Sequence, residues 1–130
     1  MRIFLLMVFA AAAYSQEWVD LFNGKNLDGW VVKIAGHELG DNYGDTFRVR
    51  DGAIVVSYDK YKEFGARFSH LFFKQKFSHY RLAMEYRIVG EQMKDAPAYA
   101  RLNSGVMVHS QSPESILKDQ DWPISVRRSS

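Results

Sequence analysis

From Trp18 onward, apolar and polar residues alternate with a period of about two, in short runs separated by turn signals. Leu21-Phe22 leads into Asn23-Gly24 and then Asp28-Gly29, both turn dipeptides. Trp30 to Ile34 reads as a strand, and the stretch from Gly36 to Asp45, with Gly40, Gly44, Asp41 and Asn42 inside it, reads as a loop. Thr46 to Arg50 and Ala53 to Tyr58 flank Asp51-Gly52, a strong two-residue hairpin signal. Lys60 to Gly65 is a polar connection, and Ser69 to Lys74 is a further strand.

The most regular alternation runs from His79 to Val89. Leu82, Met84, Tyr86 and Ile88 fall on one side, and Arg81, Ala83, Glu85 and Arg87 on the other, the pattern of a strand with one buried and one polar face. After a loop from Gly90 to Ala100, Asn103 to Ser110 is the next strand. Its Val106 and Val108 oppose Asn103, Gly105, Met107 and His109. Gln111 to Asp121 has room for a short helical turn, with Ser112 capping ahead of Pro113. Trp122 to Val126 opens a last strand, which Arg127-Arg128-Ser129-Ser130 interrupts without a turn residue. No segment sustains a helical spacing. The expectation is an all-β sandwich or jelly roll, incomplete at its C-terminus, with an aberrant tail at 127–130.

Composition narrows the function classes. A net charge of +2 with no face-sized basic cluster argues against a nucleic-acid partner. The absence of cysteine removes disulfides, thiolate metal sites and a cysteine nucleophile. An aromatic content of 15% suits sheet faces and also the flat platforms on which sugars stack. At the N-terminus, Arg2 precedes an unbroken apolar run from Ile3 to Ala13, and Ala13-Tyr14-Ser15 offers small residues where a signal peptidase reads them. That run is shorter than the about 20 residues a membrane span needs. Residues 1–15 are therefore expected to be a signal peptide, residues 16–126 the domain, and the location the periplasm or the exterior.

Three stretches carry a family resemblance: Leu21-Phe22-Asn23-Gly24-Lys25-Asn26-Leu27-Asp28-Gly29-Trp30, Phe47-Arg48-Val49-Arg50-Asp51-Gly52-Ala53-Ile54, and Tyr80 to Ile88 followed by Asn103-Ser104-Gly105-Val106. In order and spacing they resemble the 3-keto-disaccharide hydrolase family, from about Trp18 to Val126. The resemblance implies a concanavalin A-like sandwich and cleavage of the glycosidic bond of 3-keto glycosides. It also implies that the family's later strands are missing here, which puts this chain's own activity in question. A non-catalytic, lectin-like carbohydrate-binding module is the alternative, because the same sandwich serves both roles.

The chemistry so implied starts from a ketone at C3, which acidifies the proton on C2. It requires a base for that proton, a donor for the developing oxyanion and an acid for the group leaving C1. Glu85 or His109 would suit the base, Arg87 the oxyanion donor and Asn103 a hydrogen bond to a sugar hydroxyl. Glu85 and Arg87 share one polar strand face, and Asn103 and His109 share another. Ordinary ion pairs on a solvated face would equally account for the charged pair. Among Trp30, Tyr43, Tyr61, Tyr99 and Trp122, the loop-flanking Tyr99 and Trp122 best fit ligand contact, whereas Trp30 better fits the core. His37, Glu38, Asp41 and Asp45 lack the spacing of a calcium or zinc site, and there is no glycine-rich phosphate loop. No cofactor and no metal are expected, and the expected partner is a small carbohydrate.

Overall fold

A computed structural model describes residues 17–125. The expected signal segment 1–15 and the tail 127–130 lie outside the described residues.

The chain builds two antiparallel strand pairs, one nested inside the other. Strand β1 (Trp30–Ile34) pairs with β4 (Ser69–Phe73), and between them in sequence β2 (Phe47–Arg50) pairs with β3 (Ala53–Val56). The inner pair is the hairpin expected around Asp51-Gly52. Both turn residues take a positive φ, 50° and 73°, the mirror-image turn whose twist matches that of the flanking strands. The remaining regular elements are single 3-10 turns, at Tyr43–Asp45, Ala98–Ala100 and Pro113–Ser115. Ser112 stands at the start of the last turn, as expected, but its side chain makes no capping bond there. The described fold is all-β and antiparallel, consistent with a β-sandwich.

Register decides which residues meet. Opposite Phe73, Leu71 and Ser69 stand Trp30, Val32 and Ile34, and this set forms the inner face of the outer pair. Val32 and Ile34 pack there with Phe47 of β2, joined by Leu27, Tyr43, Ile54 and Leu71, so the two strand pairs share one core. Full burial of each such side chain is worth about 1.5–3 kcal/mol. Trp30 lies at the rim of that core. Its ring meets Phe73 edge-on at 5.0 Å, and its Nε1–H donates to the carbonyl of Leu21 at 3.0 Å. The Leu21–Trp30 stretch is thereby tied to the first strand.

Arg48 shows how β2 tolerates a buried cation. Its side chain is only 8% exposed, and its guanidinium forks onto the carboxylate of Asp59, with Nη1 donating to Oδ2 at 2.8 Å and Nη2 to Oδ1. Nη2 also reaches the Gly44 carbonyl, and Asp45 lies 3.2 Å from Nε. A buried guanidinium is stable only when its donors are met in this way.

Two expected strands are not strands here. His79 to Val89, despite its regular alternation, belongs to neither sheet, and its side chains are exposed on both sides. Asn103 to Ser110 is likewise unpaired except at its last residue, where Ser110 bridges Ser125. The expected strand from Trp122 is reduced to that same bridge among the described residues. Alternation specifies which side a strand would bury, but a ladder also needs a neighbour in register, and none of the described strands lies beside these segments.

The Arg48–Asp59 fork sets an acid limit. Hydrogen bonding to Arg48 holds the Asp59 carboxyl at about 2, against an ordinary value of 3.8. A depressed carboxylate contributes its stability fully above its ordinary value and loses it as pH falls through the folded one. Asp59→Asn should therefore melt below wild type at pH 7 and converge with it as pH drops from about 4 towards 2. Parallel melting curves across that range would refute this account.

Candidate aromatic binding surface

The outer face of the β1–β4 pair carries the chemistry the core does not use. Lys33 and His70 are direct cross-strand partners, so their side chains leave the sheet on the same side. The ammonium of Lys33 donates to three carbonyls, of Ile34 at 3.0 Å, His37 at 3.2 Å and Lys118 at 2.8 Å. Nε2 of His70 donates to the carbonyl of Asp121 at 2.7 Å. The carbonyl of Lys118 also accepts from the backbone N–H of Gly36 at 2.9 Å. One rung of the ladder thus holds the returning segment 116–123 against the sheet. Ile116 and Pro123, buried near its ends, complete the attachment.

This attachment gathers the aromatics. Ala35 donates its N–H to the Phe68 carbonyl, which extends the ladder by one step and sets Phe68 beside His70 on the outer face. Trp122, carried in by the returning segment, lies 4.9 Å from the Phe68 ring and 5.2 Å from the His70 ring. Tyr99 stacks nearly parallel to Phe68, with an interplanar angle of 9° at 6.4 Å. Phe64 supports Phe68 edge-on at 5.0 Å. The loop bearing Tyr99 is pinned by Asp95, whose carboxylate accepts from the backbone N–H groups of Phe64 at 2.9 Å and Gly65 at 3.1 Å. Those bonds hold the Asp95 carboxyl below its ordinary value. Phe64 and Phe68 are buried, whereas Tyr99 is 66% and Trp122 45% exposed. The result is a supported aromatic surface with open ring faces.

The expected substrate-binding residues converge on this surface. Tyr99 and Trp122 flank Phe68, and Asn103 donates from Nδ2 to the Tyr99 carbonyl at 3.2 Å. The expected catalytic residues stand apart from it. Glu85 and Arg87 lie on the unpaired 79–89 segment, and neither enters a hydrogen bond or ion pair with a described residue. His109 is exposed with φ 55°, next to the Ser110–Ser125 bridge. Beside the Tyr99 loop, Gly90, Glu91, Gln92, Arg101 and Leu102 line an open cleft of about 280 Å³.

Sequence reasoning overlooked His70 and Phe68. The Ser69 to Lys74 strand that carries His70 is readable from the sequence, but not that Phe68 extends it, that Lys33 stands opposite His70, or that residues 116–123 cover them. The other highlighted polar residues are structurally engaged. His37 bonds Asp41 at 2.9 Å, Glu38 pairs with Lys118 at 2.8 Å and Asp45 with Lys60 at 3.1 Å. Among the described residues no three His, Asp or Glu side chains come together as a metal site would require. Tyr61 is buried, its hydroxyl 2.7 Å from that of Thr46, and Tyr43 packs against the core.

Fold and surface together define an all-β domain of antiparallel sheets with a supported aromatic face. Residues 17–127 match the family described as the 3-keto-alpha-glucoside-1,2-lyase-like domain, and the chain belongs to that family, the 3-keto-disaccharide hydrolases. No curated protein and no solved structure matches the chain.

The rung gives this surface a pH dependence. Burial pushes the His70 imidazole below its ordinary value of 6.5, the Asp121 carbonyl opposing only in part. A histidine lowered by folding contributes stability fully above its ordinary value, and that contribution falls as pH drops below it. Trp122 fluorescence should therefore change as pH falls below the ordinary histidine value and the segment loosens, and His70→Gln should remove the change. Lys33→Met removes three charge-assisted hydrogen bonds, although the Ile34 and Lys118 carbonyls keep the backbone N–H groups of His37 and Gly36, and should cost about 1–3 kcal/mol of stability at neutral pH. A melting temperature unchanged in Lys33→Met would show that the rung does not hold the segment.

Proposed function

We propose that this chain is an exported domain that binds 3-keto glycosides and cleaves their glycosidic bond. The observation that carries the reading is membership of the family across residues 17–127. The Tyr99–Phe68–Trp122 surface supports it, because exposed rings on a rigid base are what the apolar face of a pyranose stacks on. Export is supported by Arg2 and the apolar run from Ile3 to Ala13.

The reaction proceeds in two balanced halves. A base, Glu85 or His109, takes the C2 proton, and the electron pair passes to the C3 ketone as an enolate stabilised by Arg87. Collapse of the enolate forms the C1–C2 double bond and breaks the C1–O bond, with a proton delivered to the departing oxygen. That half is a lyase reaction. Water then adds its oxygen to C1 and a proton to C2, which restores the 3-keto sugar and makes the net change a hydrolysis. Asn103 contributes a hydrogen bond to a sugar hydroxyl, and Tyr99 and Trp122 orient the ring.

One observation favours a second reading, a carbohydrate-binding module without turnover. Tyr99, Asn103 and Trp122 lie together while Glu85, Arg87 and His109 lie apart from them.

The two readings separate on one pair of ligands, a 3-keto glycoside and its unoxidised parent. Release of the aglycone from the keto sugar alone supports the enzyme. Binding of the unoxidised sugar without release supports the module, and the absence of both release and binding would reject both readings. On the enzyme reading, Glu85→Ala, Arg87→Ala or His109→Ala should abolish turnover with the melting temperature unchanged. Tyr99→Ala and Trp122→Ala should each weaken sugar binding about tenfold, the worth of a lost aromatic contact.

A further inference from the structure

Residues 79–91 form a long unpartnered surface among the described residues. None of their backbone N–H or C=O groups bonds to a described residue, and every residue from 81 to 91 is exposed. No residue between His79 and Val89 takes a positive φ, so nothing in the backbone prevents the segment from joining a ladder. Its apolar side is open as well, with Leu82, Met84, Ile88 and, at 64%, Tyr86 all exposed. An alternating segment with a free backbone edge is a template for strand addition, and its charges select the register.

We propose that this segment is a self-association edge, on which a second copy of the chain adds its own residues 79–91 antiparallel, with the two-fold axis at Tyr86. The charge sequence points to a second copy and to this register. With Tyr86 opposite itself, Glu85 of each copy stands opposite Arg87 of the other, and Arg81 opposite Glu91, each pair made twice by symmetry. The same register sets Met84 against Ile88 and Ala83 against Val89, so both faces stay matched. Neighbouring registers that preserve the faces are poorer on charge. Centring on Met84 sets Arg81 against Arg87, centring on Glu85 or Arg87 sets that residue against itself, and centring on Ala83 makes two Arg81–Glu85 pairs where the Tyr86 register makes four Arg–Glu pairs. A parallel, in-register pair would place every charge against its own copy.

The edge goes beyond the sugar-cleaving reading and is tested without sugar, so its failure and that of the catalytic reading are distinguishable. Sedimentation velocity of the full chain should show a monomer–dimer equilibrium. Glu85→Arg and Arg87→Glu should each weaken association at least tenfold, because each creates like-charge pairs on both sides of the axis. Mixing the two variants should restore the dimer, since the mixed pair sets Arg at 85 and 87 of one copy against Glu at 87 and 85 of the other. Tyr86→Cys in this otherwise cysteine-free chain should form a disulfide-linked dimer on oxidation, whereas Met84→Cys should not. These cross-links also decide the matter if a charge reversal prevents folding. A monomeric wild type, association that ignores the charge reversals, or a mixture no more associated than either variant would each overturn the proposal.

Discussion

The returning segment, and with it the Trp122 side of the aromatic surface, depends on one rung of one ladder, the facing pair Lys33 and His70. A sheet of two short strands cannot by itself organise the chain that follows it. Here the rung supplies donors to carbonyls of residues 118 and 121, and so fastens a segment some fifty residues further along. Trp122 arrives with that segment and Phe68 is waiting for it, while Asp95 brings Tyr99 from a third part of the chain. Three pieces distant in sequence meet because buried polar groups on a strand must find partners. The aromatic surface follows from that polar requirement as much as from the hydrophobic effect.

Much of this was legible in the sequence, and what was not has a physical explanation. The hairpin could be read because its information is local: two residues that accept a positive φ between two alternating runs. Trp30 to Ile34 and the strand beginning at Ser69 could be read for the same reason. Which strand pairs with which could not, since the register of β1 against β4 depends on a contact across a long intervening stretch. The 79–89 segment shows the limit from the other side. Its alternation is the most regular in the chain, yet no ladder takes it up among the described residues, because periodicity describes a face and not a partner.

The site was legible to a similar degree. Tyr99 and Trp122 stand out in the sequence for lying beside loops and Asn103 for its polar strand face, and they share one surface because loops at the margin of a sheet carry exposed rings. Glu85, Arg87 and His109 were chosen for sharing polar strand faces, a criterion with meaning only where the strands lie in one sheet. The supports, Phe68, His70 and Asp95, carry no motif. Their roles come from what the fold sets against them: an indole, a carbonyl and a pair of backbone N–H groups.

The nesting of β2 and β3 between β1 and β4 also imposes an order on assembly. A hairpin closed by two residues forms with little chain entropy to lose, whereas the outer pair must bring together ends separated by residues 35–68. Once the hairpin has formed, that span is effectively shorter, and Phe47 already offers Val32 and Ile34 an apolar surface. Loop closure thus favours the inner hairpin over the outer ladder, and the rung of Lys33 and His70 exists only where that ladder has formed. The aromatic surface waits on the rung in turn, so it loses its shape wherever the outer ladder opens.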